Sequence, residues 1–179
     1  MSIIILDRDG VINYDSPEYI KSAEEWRPLP GSIEAIASLS KAGHKIYVAS
    51  NQAGLARGLF DLVALNQIHE KFINAVEQEN GVIESIFFCP HHPNDNCDCR
   101  KPKTGLLEKI SLHSRQSLTG APFVGDSLKD IQSAITMGCQ PILVETGNGK
   151  ITKETLDLEE LEVPCFADLS AFANHFLHN

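Results

Sequence analysis

The sequence predicts an α/β fold in which a doubly wound parallel sheet carries helices on both faces. Three observations lead there. Short apolar runs recur along the chain, and each delivers a polar or acidic residue at its end. Stretches with helical spacing of apolar residues separate these runs. The first run is β-branched and uninterrupted, as a strand buried on both faces requires.

That run is Ile3-Ile4-Ile5-Leu6, which carries Asp7 and Asp9 to its carboxyl end, where Gly10 lets the chain turn away. In open α/β sheets this edge is where ligands bind. Residues 11–30 are polar and irregular, with Pro17, Pro28 and Pro30 discouraging regular structure, and read as a long loop that helps to choose the substrate. Pro30-Gly31-Ser32 opens an amphipathic helix through Ile33, Ile36, Ala37 and Leu39, stopped by Ala42-Gly43. Residues 45–49 form the second strand, which ends at Ser50-Asn51-Gln52. Asp61 caps a helix through Leu62, Leu65, Ile68, Phe72, Ile73 and Val76 that Asn80-Gly81 closes.

Residues 83–89 make a third strand, followed by a cysteine-bearing loop and a helix from Thr104 through Leu106, Leu107 and Ile110. Residues 122–124 are a fourth strand ending in Gly125-Asp126-Ser127, and a helix then carries Ile131, Ala134 and Ile135 to Gly138. Residues 141–144 are a fifth strand. Cys165-Phe166 is a candidate sixth before a last helix through Leu169, Phe172 and Phe176. The alternation is Rossmann-like and implies right-handed crossovers. The acidic stretch holding Glu154, Asp157, Glu159, Glu160, Glu162 and Asp168 reads as a solvated face, and Cys139 and Cys165 as core residues.

With 179 residues, 42% hydrophobic and 22% charged, the chain is expected to be one domain over residues 1–179 with a proper core. A net charge of −9 disfavours nucleic-acid and anionic-membrane partners, which want a basic face. Arg8, Lys21, Arg27, Arg57, Arg100, Lys101 and Lys103 nevertheless fall in or near expected loops, and basic loops around the crevice suit a small anionic substrate. The N-terminal apolar run is short and lacks a basic flank, and no segment approaches the ~20 apolar residues of a membrane span. No membrane contact, a cytoplasmic address and a monomer are expected.

The chemistry collects at three strand ends and one loop: Asp7 and Asp9, Ser50, Asp126 with Asp130, and Lys101. In this order they resemble the four motifs of the haloacid dehalogenase superfamily of phosphotransferases, over the whole chain. The resemblance implies a phosphatase in which Asp7 is the nucleophile and forms an aspartyl-phosphate, and Asp9 is the general acid and base. Ser50 and Lys101 would hold the transferring phosphoryl group, with Lys103 the weaker candidate for the lysine. Mg²⁺, a hard cation that prefers oxygen ligands, would sit on Asp7, Asp126 and the carbonyl of Asp9. Asp130 would support the metal or orient a lysine.

Cys89-Pro90-His91-His92 and Cys97-Asp98-Cys99 bring three soft thiols and a Cys-x-His pair into one compact loop. An odd cysteine count in a reducing compartment argues for metal rather than a disulfide framework. Cys89, His91, Cys97 and Cys99 suit a closed, structural Zn²⁺ site in a zinc-binding loop over residues 89–103, with His92 as the alternative imidazole and a metal-free surface loop as the plain alternative. Such a loop would fix Arg100 and Lys101 beside the phosphate.

Within the superfamily the sequence looks like the uncapped, zinc-loop phosphatases of sugar bisphosphates and of histidinol phosphate, with no separate cap domain. The resemblance implies a small phosphorylated sugar as substrate, recognised by Arg100 in a pocket shaped by Asp15, Ser16, Pro17, Glu18, Tyr19, Asn51, Gln52 and Ala53. Some members carry a lysine directly after the fourth-motif Asp; this chain has Ser127, so that contact is absent or replaced by Lys129 or Arg57. The reading from another class is a catalytically silent, metal-stabilised interaction module. Against it, every expected catalytic position is filled.

Overall fold

The computed structural model describes residues 2–179. Six strands form one sheet: β1 (Ile3–Leu6), β2 (Lys45–Asn51), β3 (Ser85–Cys89), β4 (Pro122–Gly125), β5 (Gln140–Val144) and β6 (Cys165–Phe166). Their order across the sheet is β3-β2-β1-β4-β5-β6, and every pairing is parallel. The chain winds outward from β1 in one direction and then restarts at β4 in the other. The place where that order reverses, between β1 and β4, is where such sheets open a crevice.

Six helices cover the sheet: α1 (Ser32–Lys41), α2 (Leu62–Gln78), α3 (Gly105–Ser114), α4 (Leu128–Met137), α5 (Gly149–Leu158) and α6 (Leu169–His178). Alternate residues of β1 feed two separate cores. Ile4 and Leu6 pack with Ile36 of α1, Phe72 of α2 and Phe172 of α6, while Ile3 and Ile5 pack with Leu106 and Ile110 of α3 and Ala134 of α4. This two-sided burial is why the strand is an unbroken apolar run. No helix is long and apolar enough to cross a membrane among the described residues.

Three expectations need correction. Residues 11–30 are irregular but not a freely polar loop, because Val11, Ile12, Ile20, Trp26 and Leu29 are all buried. They nail the segment to the core, and an isolated bridge between Asn13 and Pro28 folds it back on itself. The sequence reading also gave no helix after the fifth strand, where α5 forms. Only Leu156 among its apolar residues is buried, whereas Ile151 and Leu158 are 69% and 86% exposed, so no apolar stripe marks it. Leu156 closes a third small cluster with Ile131 and Leu143. Cys139 is buried as expected, but Cys165 is half-exposed, with its Sγ 3.9 Å from Glu145.

Trp26 anchors the 11–30 segment: it is 1% exposed, its ring lies 5.9 Å from that of Phe72, and Lys71 donates to its carbonyl at 3.0 Å. Replacing Trp26 with Ala should therefore cost about 3–5 kcal/mol of stability. Because it is the sole tryptophan, chemical denaturation followed by circular dichroism is the appropriate measurement. A loss below 1 kcal/mol would mean that the segment is held by its hydrogen bonds rather than by this ring.

Candidate active site and metal-ligating loop

Asp7 continues β1 by one residue, its N–H donating to the Val124 carbonyl of β4 at 2.9 Å. Its side chain emerges at the switch point, where Lys101 reaches it. The Lys101 Nζ lies 2.8 Å from Asp7 Oδ1 and 2.6 Å from Asp130 Oδ1, and donates to the Ala49 carbonyl at 2.7 Å. The lysine is almost fully buried and passes over the Phe123 ring. Burial opposes its charge, but Asp130 and Asp7 outweigh that and raise its pKa. Burial and the neighbouring Asp130 push the Asp7 carboxyl well up, only partly opposed by Lys101. Lys103, by contrast, is solvated and pairs with Asn96 at 2.9 Å.

Asp126 and Asp130 bracket the start of α4. Asp130 spends both oxygens: Oδ1 faces Lys101, and Oδ2 accepts from the backbone N–H and the hydroxyl of Ser127 at 3.1 and 2.7 Å. Asp126 Oδ2 accepts from the Asn148 backbone and side chain at 2.8 and 3.1 Å. That carboxylate lies against Gly10 and Gly147, both with positive φ, where a Cβ would collide with it. Burial, then Asp130, raises its pKa to about 7. Asp7, Asp126 and Asp130 each offer an oxygen within 4.8 Å of the others.

Asp9 sits in a different environment. The Arg8 guanidinium forks onto it with contacts of 2.9–3.0 Å, and Asn13 and Gln52 each donate to it at 2.9 Å. Burial alone would raise its pKa; the Arg8 charge and these donors prevail and lower it. Arg8 is itself wholly buried, with Nη1 3.5 Å from His69 Nε2. Burial and the Arg8 charge bring His69 down to about 4, so the ring stays neutral. Sequence reasoning missed Asn13, His69 and Asn148, and took Arg8 for a rim cation. A cation between two acids resembles a solvated turn, and nothing in the pattern marks His69, 61 residues away, as its neighbour.

The acids open into a cleft of about 500 Å³. Of the pocket residues expected from sequence, Asp15, Ser16, Pro17 and Tyr19 line it from the 11–30 segment, and Asn51, Gln52 and Arg100 from the other side. Glu18 and Ala53 do not line it: the first is exposed on the outer side of the turn, the second buried. Ser50 lies beneath Gln52, whose Nε2 donates to its Oγ at 2.8 Å. Of the seven basic residues expected around the crevice, only Arg100 and Lys101 line it, joined by Lys129. Arg57 does not, so Lys129 is the cation present where the sequence departs from its family pattern at Ser127. Arg100 Nη1 is buried without a hydrogen-bond partner. An anionic ligand would satisfy it.

Asn51 and Lys101 clasp the cysteine-bearing loop to β2 through mutual side-chain and backbone bonds of 3.1 and 3.2 Å. Beyond them, Cys89, His91, Cys97 and Cys99 turn their ligand atoms inward to within 4.8 Å of one another. Neighbouring pairs are separated by 3.2–3.7 Å. A tetrahedron built on Zn–S bonds of ~2.3 Å has edges of about 3.8 Å, so the set has the size of a single ion's first shell. The imidazole is that of His91; the ring of His92 instead accepts from the Asn94 N–H at 3.2 Å and shapes a short 3₁₀ turn at Pro93–Asp95. Burial would raise Cys97, but the Arg100 N–H and neighbouring thiols bring it to about 7.

The HAD-hydrolase-like family model matches residues 98–169. A protein of Bordetella bronchiseptica named D-glycero-beta-D-manno-heptose-1,7-bisphosphate 7-phosphatase is 50% identical over 99% of this chain and 98% of its own length. A Pseudomonas putida protein of the same name is 48% identical over 99% of this chain and all of its own. Among solved structures, a D,D-heptose 1,7-bisphosphate phosphatase from B. bronchiseptica complexed with magnesium and phosphate superposes with a TM-score of 0.94 at 49% identity, covering 99% of this chain and 98% of that one.

Proposed function

This chain belongs to the HAD-like hydrolases, in the family of heptose bisphosphate 7-phosphatases, and we propose that it hydrolyses the 7-phosphate of D-glycero-beta-D-manno-heptose 1,7-bisphosphate with Mg²⁺. The carrying observation is the charge balance of the cleft: three buried carboxylates, Asp7, Asp126 and Asp130, face one buried ammonium. An excess of negative charge in a pocket meant for a phosphate is tolerable only beside a divalent cation. Burial first, and the neighbouring Asp130 second, raise the pKa values of Asp7 and Asp126. Asp7, Asp126 and the carbonyl of Asp9 would hold the ion, because both oxygens of Asp130 are already committed. When bound, Mg²⁺ supplies neutralisation between the attacking carboxylate and the phosphoryl oxygens.

In this reading an Asp7 oxygen attacks phosphorus, and the bond to the sugar oxygen breaks as the aspartyl-phosphate forms. Asp9 gives a proton to that leaving oxygen and later takes one from the attacking water. Its resting contacts with Arg8, Asn13 and Gln52 favour the anion and thus the second role; the first requires the substrate to displace at least one donor. Lys101 fixes Asp7 and meets the equatorial charge of the transition state, with Ser50 behind Gln52 as the second donor. Arg100 takes the remote phosphate, with Lys129 as an additional cation at the rim. Cys89, His91, Cys97 and Cys99 would bind a structural zinc with no position left for water, in one chain acting in the cytoplasm on a small sugar phosphate.

Phosphate release in Mg²⁺ should be at least tenfold faster from the beta bisphosphate than from the alpha anomer or histidinol phosphate. Asp7→Asn should lower kcat by about 10³-fold or more at unchanged melting temperature. Substantial residual turnover would remove Asp7 as nucleophile, and a preference for histidinol phosphate would overturn the substrate while keeping the chemistry.

The Asp126 value of about 7 sets a pH dependence. Mg²⁺ requires the ionised carboxylate, so protons compete with it below that pH and not above. Isothermal titration should show Mg²⁺ affinity falling at least tenfold per pH unit below 6.5, since the raised Asp7 carboxyl takes up protons as well as Asp126. A flat profile would exclude Asp126 from the ligand set.

For the cysteine loop, purified protein should contain one zinc per chain by elemental analysis, and Cys97→Ser should lose it together with most activity. Activity falls because Arg100 and Lys101 follow Cys99 directly. Wild-type protein prepared without chelator and free of zinc would refute the site.

A further inference from the structure

Asn148 stands at the N-terminus of α5, a position where an asparagine side chain ordinarily caps the helix by accepting from its first N–H groups. Here it makes no such bond. Its amide instead turns into the cleft and donates in two directions. One contact goes to Asp126 Oδ2 at 3.1 Å, the oxygen that already receives the Asn148 backbone N–H at 2.8 Å. The other goes to Asp15 Oδ2 at 3.3 Å, across 133 residues of sequence. Both acids and Asn148 line the same cleft.

Resting on the phosphatase reading, we propose that Asn148 is a positioning residue that sets both the metal carboxylate Asp126 and the substrate-selecting carboxylate Asp15. Two donors on Asp126 Oδ2 leave Oδ1 as the oxygen available to a cation. Asp15, for its part, is an anion beside a pocket for phosphates, so it does not bind the phosphate. A carboxylate there accepts hydrogen bonds from sugar hydroxyls, and the Asn148 amide holds it at the cleft wall in the orientation to do so. The ligand class that benefits is a polyhydroxylated phosphate ester rather than a bare aryl phosphate. The surrounding segment is braced for the task, with Thr146 donating to the Gly10 carbonyl at 2.6 Å and Thr152 to the Asp126 carbonyl at 2.8 Å.

The test compares wild type, Asn148→Ala, Asn148→Ser, Asp15→Ala and the Asn148→Ala/Asp15→Ala pair on the beta heptose bisphosphate and on p-nitrophenyl phosphate. Asn148→Ser supplies a hydroxyl that can cap the helix but is too short to span both acids, so it guards against a mere folding defect. At saturating Mg²⁺ each Asn148 variant should raise the bisphosphate KM about tenfold with kcat within about twofold, and leave the aryl phosphate KM unchanged. The Mg²⁺ concentration for half-maximal aryl phosphatase activity should rise about threefold. Asp15→Ala should reproduce the bisphosphate KM rise, and the double variant should be no worse than either single one. Unchanged KM, a parallel loss of kcat on both substrates, or additive effects in the double variant would overturn the role of Asn148. A wild-type protein that hydrolyses neither substrate would instead overturn the phosphatase reading, and this inference with it.

Discussion

The contact on which the site depends is the burial of the Lys101 ammonium between Asp7 and Asp130. A lysine with almost no exposure is costly unless its charge is matched, and here two carboxylates pair with the ammonium at 2.8 and 2.6 Å while the Ala49 carbonyl accepts a hydrogen bond from it. That arrangement ties the end of β1 to β2, the cysteine-bearing loop and α4 through one side chain. It also explains why the loop is clasped so firmly: Asn51 binds the Lys101 backbone from both sides, so the ammonium arrives with little freedom left to lose. Remove the lysine and two carboxylates face each other at the end of the central strand.

Asp7 and Asp9 are one residue apart in the middle and live in opposite electrostatic worlds. Asp7 looks toward other acids and is pushed toward its neutral form, whereas Asp9 is gripped by a guanidinium and two amides and is held as an anion. A strand end makes this possible: residues two apart share a face within a strand, but β1 ends at Leu6 and the turn that follows carries Asp9 into other surroundings. Two identical side chains thus take different charge states from what surrounds them, and a cation beside Asp7 would favour the anion that its attack requires.

Much of this was legible in the sequence because the signals were local. The triple isoleucine marked a central strand, the acids marked its end, and three clustered thiols marked a metal-type loop. What stayed hidden was non-local. Arg8 reads as a surface cation until its partners Asp9 and His69 are seen around it. The Cys-x-His pair favours His91 over His92, and in the fold the His92 ring is spent on a turn instead. Helix α5 is hidden because a single leucine anchors it, and a resemblance that implies whole stretches for the pocket cannot separate inward Asp15 or Gln52 from Glu18 and Ala53. Asn148 carried a signal that was misleading in kind, a capping residue type whose side chain is used elsewhere.

The separation of the reacting groups along the chain has a consequence for how the protein acquires activity. The nucleophile is residue 7, while the groups that complete its surroundings are Lys101, Asp126 and Asn148, and β1 finds its second neighbour only when β4 is made. During synthesis, therefore, the acidic N-terminal segment emerges long before anything exists to bind it. No half-made chain that ends before Asp126 can assemble the carboxylate site around Asp7. A ligand that recognises only the finished arrangement stabilises the native state by mass action and leaves partly folded forms untouched. Ion occupancy of this centre is thus also a record that folding has reached its end.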